Sequence, residues 1–166
     1  MQRLINSKNI VYKLLILLVL GSCDSKGIFD NYTTVKKGKW EINTPVTFQF
    51  TVKDTLANKN LFINIRNNND YEYSNLFLIT KLKFPDGHFL TDTLEYDMTD
   101  KKGNFLGTGF SGIKENKLFY KEQILFPAAG EYQLQVFQAM RKNGEVLGLQ
   151  ELEGITDVGF RIEKIE

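Results

Sequence analysis

Val46-Thr47-Phe48-Gln49-Phe50-Thr51-Val52 alternates apolar and polar residues without a break. Successive strand side chains point to opposite faces, so the pattern buries Val46, Phe48, Phe50 and Val52 and leaves the polar residues in water. The same period of two recurs along the chain. Leu61, Ile63 and Ile65 show it, as do Leu76, Leu78, Leu82 and Phe84, with Lys81 and Lys83 opposite. Leu94, Tyr96 and Met98 alternate with Thr93, Glu95 and Asp97. Tyr132, Leu134 and Val136 repeat the pattern, and so do Val158, Phe160 and Ile162. Residues 117–126 are apolar on both faces in places and read as a more buried strand. No window holds apolar residues at helical spacing beyond one turn, and the best helical candidate, around residues 149–152, is short.

Turn chemistry falls between these runs. Pro85-Asp86-Gly87 suits a tight hairpin. Asn143-Gly144 is the strongest hairpin signal and predicts that residues 131–140 pair with a short strand at 145–149. Lys102-Gly103-Asn104, Ala128-Ala129-Gly130 and the Asx run Asn67-Asn68-Asn69-Asp70 are further turns. About seven to nine short strands predict an all-β fold, an antiparallel β-sandwich of immunoglobulin-like or jelly-roll type. The Cys–Trp–Cys signature of true immunoglobulin domains is missing, because the chain has one Cys and one Trp.

The N-terminus reads as an address. Arg3, Lys8 and Lys13 are its only charges, and Leu14-Leu15-Ile16-Leu17-Leu18-Val19-Leu20 follows as an apolar run. That run falls short of the roughly 20 residues that span a bilayer and fits a cleavable signal. It ends Leu20-Gly21-Ser22-Cys23, which resembles the bacterial lipobox of Leu, two small residues and Cys. Residues 1–22 are therefore expected to be cut away, with Cys23 lipidated on its thiol and acylated on its new amine. Residues 23–27 form a short polar tether that keeps the domain close to the membrane, and residues 28–166 form the sandwich. A bacterial lipobox also makes the Asn31-Tyr32-Thr33 glycosylation sequon irrelevant.

Composition narrows the function classes. The 166 residues carry 21 basic and 20 acidic side chains, a formal net charge of +1. Three of those basic residues belong to the signal, so the mature body is mildly acidic, which argues against nucleic acid as a partner. One Cys and one His cannot build a zinc site, and no metal or cofactor is expected. His88 follows the Pro85-Asp86-Gly87 turn, and no Gly-x-Ser-x-Gly elbow accompanies it, so it reads as a turn histidine and the chain as a non-enzyme. Asp92, Glu95, Asp97 and Asp100 cluster without the EF-hand pattern and read as a solvated strand face. Gly107-Thr108-Gly109-Phe110-Ser111-Gly112 has no Lys after it and reads as a loop or bulge, and Lys36-Lys37-Gly38-Lys39 as a solvated loop. Trp40, Tyr71, Tyr73, Phe105 and Phe110 lie in or near predicted loops. There they either cap the sandwich or form an interaction surface that stacks on sugars or anchors a protein.

Several stretches together resemble the gliding-motility lipoprotein family GldH. They are Arg66-Asn67-Asn68-Asn69-Asp70-Tyr71, Ser74-Asn75-Leu76-Phe77-Leu78, Phe84-Pro85-Asp86-Gly87, Asp92-Thr93-Leu94-Glu95-Tyr96 and Leu106-Gly107-Thr108-Gly109. Glu115-Asn116-Lys117 and the tail Leu152-Glu153-Gly154-Ile155-Thr156-Asp157-Val158-Gly159-Phe160 are similar as well. The resemblance implies an envelope lipoprotein needed for surface gliding, a process tied to type IX protein secretion. It brings no catalytic residue, and only Cys23 has a chemical role that transfers. The expected protein is anchored by its N-terminal lipid on the periplasmic side of the outer membrane. There it acts as a non-enzymatic accessory that touches other gliding-machinery or envelope proteins. A carbohydrate- or peptidoglycan-binding lipoprotein is the alternative.

Overall fold

The computed structural model describes residues 26–165. The expected signal at 1–22, and Cys23 itself, lie outside the described residues. The strands are β1 (Gly27–Thr34), β2 (Lys39–Glu41), β3 (Val46–Val52), β4 (Lys59–Asn67), β5 (Asn75–Lys83), β6 (Phe89–Asp97), β7 (Lys114–Ile124), β8 (Gly130–Gln138), β9 (Glu151–Glu153) and β10 (Ile155–Lys164). One 3₁₀ turn, Lys36–Gly38, interrupts them.

Two four-stranded sheets, ordered β1-β10-β4-β7 and β3-β8-β5-β6, and a two-stranded β2-β9 ribbon contain these strands, all paired antiparallel. The two large sheets pack face to face. β3 buries Val46, Phe48, Phe50 and Val52 and exposes the residues between them, as the alternation requires. The Phe50 ring lies 5.2 Å from Phe160 of β10 and 5.7 Å from Phe29 of β1, across the gap between the sheets. Phe126 and Tyr132 close the same cluster at 6.0 and 5.6 Å from Phe50. Each fully buried ring contributes about 1.5–3 kcal/mol by leaving water, as does each buried Leu, Ile or Val around it, so the aromatic seam and the aliphatic core together hold the sheets. On the opposite side the edge strands are joined by polar groups. The Tyr96 hydroxyl of β6 donates to the Phe119 carbonyl of β7 at 2.7 Å, and Asp92 accepts from Tyr120 and pairs with Lys121, both at 3.0 Å.

The all-β antiparallel sandwich expected from the sequence is the observed fold. Ten strands replace the expected seven to nine, because β2 and β9 are three residues each and too short to show a period, and β1 has too few apolar residues to show one. Three expectations need correction. The Asn143-Gly144 turn forms, but residues 145–149 make no strand and meet the chain through a single bridge between Arg141 and Gly148. Both edges of β8 are already paired, to β3 and to β5, so no ladder is open to a returning strand. The short helical candidate at 149–152 leads instead into β9, where Leu152 faces Trp40. Residues 117–126 are not a buried strand; β7 is a sheet edge, and its Phe119 is half exposed.

Register divides the sandwich into two ends. Gly27 pairs with Glu163, and Lys59 pairs with both Lys164 and Ile124, so the loops at 53–58, 84–88 and 125–129 share one end with the start of β1. This end, where the expected tether would join, is called the tether end. The loops at 68–74, 98–113 and 139–150 gather at the far end around the β2-β9 ribbon.

Candidate functional site

The far end collects the aromatic residues singled out in the sequence, and it sorts them. Trp40 and Tyr71 are buried, which removes both from any exposed interaction surface. Each is held by its polar handle. The Trp40 indole N–H donates to the Thr44 carbonyl at 3.0 Å, and the Tyr71 hydroxyl donates to the Asn75 carbonyl at 2.6 Å. Aromatic side chains with a satisfied handle fold inward readily, since burial then strands no polar group. Burial, with a smaller push from Tyr73, raises the Tyr71 hydroxyl far above its ordinary range. Tyr73 meets Tyr71 edge-on at 5.8 Å and is half buried, and Phe105 also packs against the core.

Phe110 does the opposite. It is 94% exposed at the tip of the glycine-rich loop. That loop is shaped by close backbone approach rather than by a phosphate: at Gly109 (φ 154°) a Cβ would stand 2.2 Å from the Ile113 carbonyl oxygen. Leu106 and Ile113 on the same loop are exposed as well. Sequence reasoning missed two further apolar residues, Val146 and Leu147, which are 92% and 77% exposed on the Asn143-Gly144 loop. The available signal was an apolar pair directly after the turn, but the predicted strand had assigned it to a ladder. Between this loop and Tyr73 lies a cleft of about 830 Å³, with Glu72, Asn75, Arg141 and Lys142 along its wall.

The remaining candidates take part in local structure. His88 stacks on Phe84 at 4.0 Å and pairs with Asp86 inside its own hairpin. Asp92 serves the β6–β7 edge. Asp100 accepts from Asn104 and Lys102 to close its turn, and these bonds, the Asn104 side chain first, hold its carboxyl below the usual range. Among the described residues, no three His, Cys, Asp or Glu side chains gather as a metal-ligand set. No described helix is long and apolar enough to cross a membrane.

The outer face of the β1-β10-β4-β7 sheet is laced by charge. Lys117 of β7 donates to Glu163 of β10 at 2.7 Å, Arg161 bonds both Glu163 and Asp30 of β1, and the Lys117 ammonium sits 4.0 Å from the centre of the Phe62 ring. Beside it, Arg66 and the Tyr32 hydroxyl both donate to Glu115, at 2.7 and 2.9 Å. Burial and that bond to Glu115 push the Tyr32 hydroxyl up to about 12.

Comparison with known proteins now places this architecture. The chain is 54% identical over 148 residues to a gliding motility lipoprotein GldH homolog of Christiangramia forsetii, covering 89% of this chain and 90% of that one. It is 46% identical over 157 residues to the gliding motility lipoprotein GldH of Flavobacterium johnsoniae, covering 95% and 97%. Among solved structures it is similar to the VP2 subviral particle of infectious bursal disease virus, at 15% identity and a TM-score of 0.38 over 85% of this chain and 34% of that one. A likeness that loose carries no argument. The family model for GldH lipoproteins matches residues 27–162, which spans the sandwich from β1 into β10. The chain belongs to the GldH lipoprotein family.

Proposed function

We propose that this protein is a lipid-anchored component of the bacterial gliding apparatus. The lipid on Cys23 holds it to the periplasmic face of the outer membrane, and the far end of the sandwich binds another protein of the motility and type IX secretion machinery. It performs no catalysis. The observation that carries the contact reading is the placement of Phe110, Val146, Leu147 and Leu106, all exposed and all at the end away from the tether. Large apolar side chains left in water at one end of a molecule mark a contact site, and Phe is among the residues enriched where interfaces are buried. The names of the two relatives support the motility reading.

Carbohydrate binding is the weaker reading. Sugar stacking needs open, coplanar rings next to polar groups, and the burial of Trp40 and Tyr71 leaves Phe110 as the one fully open ring among the five candidates. Deleting the gene and following colony spreading tests the motility role. Spreading is expected to stop, and a deletion strain that spreads normally would overturn the assignment. Restoring the gene with Phe110→Ser, Val146→Ser and Leu147→Ser separates contact from anchoring. Membrane attachment is expected to persist while spreading fails; full spreading by that variant would remove the far end as the contact site.

A further inference from the structure

We propose that the tether end of the sandwich is a membrane-contact face, in which Leu56, Leu125 and Ile28 enter the lipid and Lys53 and Lys164 meet the phosphate headgroups. The proposal rests on the reading that Cys23 carries the lipid.

Reach is the first argument. Two residues separate Cys23 from Lys26, and a fully extended chain covers at most about 11 Å over those three Cα-to-Cα steps. The headgroup layer of one leaflet is itself roughly 5–8 Å thick, so a lipid seated in the bilayer draws Lys26 to the headgroup boundary. Lys26 is pinned to the body, because its carbonyl accepts from the Lys164 N–H at 3.0 Å. The tether end therefore cannot stand away from the membrane.

Construction of the 53–58 loop is the second argument. Lys59 is only 4% exposed, yet its ammonium is satisfied inside the loop, donating to the Asp54 carbonyl at 2.6 Å, the Ala57 carbonyl at 2.8 Å and the Asp54 carboxylate at 3.4 Å. The same carboxylate accepts from the Leu56 and Ala57 N–H groups at 2.8 and 3.3 Å. These bonds fix the loop's backbone and leave Leu56, 91% exposed, projecting from it beside the exposed Asp54 and Asn58. Burying a lysine to shape a loop is expensive unless every donor is met, and here the result is a projecting leucine on a fixed support.

The surroundings complete the face. Leu125 and Ile165 are exposed at the same end, as is Ile28, which opens onto a cavity of about 410 Å³ floored by Phe29, Phe50, Val52, Phe126 and Ile162. Lys53 and Lys164 stand at its rim and are exposed. Aliphatic tips flanked by lysines suit an interface with apolar chains below and phosphates above.

The full-length lipidated protein provides a direct test, because lipidation consumes its single native thiol. Leu56→Cys, Leu125→Cys and Phe110→Cys, each labelled with an environment-sensitive fluorophore, are reconstituted on vesicles of phosphatidylethanolamine and phosphatidylglycerol. Blue-shifted emission and quenching by spin-labelled lipid are expected at positions 56 and 125, several-fold stronger than at position 110. Equal, unquenched emission at all three positions, on vesicles that carry the protein, overturns the contact face and leaves the anchor standing. Failure of the unlabelled chain to float with the vesicles overturns the anchor and the contact face with it.

Discussion

Gly154 stands where β9 turns into β10, at φ 87°, and a Cβ there would lie 2.2 Å from the Tyr71 backbone nitrogen. Its carbonyl accepts from the Asn68 N–H at 2.9 Å, and its own N–H donates to Gly38 at 2.9 Å. Gly154→Ala must therefore distort a left-handed turn and push back the loop that carries Tyr71. A loss of roughly 2–3 kcal/mol is expected. Buried Trp40, the lone tryptophan, lies on the adjoining ribbon. Its fluorescence during urea unfolding is the natural readout, and an unchanged midpoint would contradict the packing described. The same corner shows why residue type alone misled. Trp40, Tyr71 and Phe110 look alike as loop aromatics in the sequence. Burying Trp40 and Tyr71 requires a backbone carbonyl for each polar handle, at Thr44 and Asn75, and where those carbonyls lie depends on backbone paths set by distant strands.

At the scale of elements, the chain of charge across the first sheet ties β1, β10 and β7 over the Phe62 ring of β4. Burial raises the Glu163 carboxyl, but the stronger combined pull of bonds from Lys117 and Arg161 holds it below its ordinary value of 4.5. A carboxyl depressed in the folded state adds stability that is complete above the unfolded value and disappears as pH falls through the folded one. Acidification below about pH 4.5 should therefore cost the wild type this stability, while Glu163→Gln lowers stability by about 1 kcal/mol near neutrality and flattens the acid limb. Urea midpoints across pH check this, and parallel acid limbs would contradict it. Strands facing a core on one side were legible because one face of each is strongly apolar, cleanly alternating in β3 and still visible in β5 and β8 despite Phe77, Ile79 and Phe137 on their other faces. β1 was not legible: only Phe29 packs against the core, its other residues are exposed apart from Tyr32, and Tyr32 lies against Gly159, 2.7 Å from where a Cβ would stand. The failed strand at 145–149 had a valid turn and no free ladder to join, a condition that depends on sheet order and not on local sequence.

For the whole molecule, the lipobox reading makes Cys23 the point of attachment. Cys23→Ala is expected to release the protein from membranes, and recovery of that variant in the membrane fraction after a carbonate wash would refute it. The lipobox-like motif is a contiguous stretch and can be read from sequence alone, whereas the far-end apolar group joins the 98–113 and 139–150 loops and exists only once the sheets have formed. The attachment point also fixes how load enters the body. On that reading the chain from Cys23 enters the body at β1, an edge strand whose seven pairings with β10 lie crosswise to its axis. If the far end is gripped by a partner while the lipid drags through the membrane, tension runs along β1 and loads those pairings in shear, together, instead of peeling them one by one. Pulling single molecules between the N-terminus and the 139–150 loop should give one abrupt rupture at high force, and gradual low-force lengthening would show that β1 unzips.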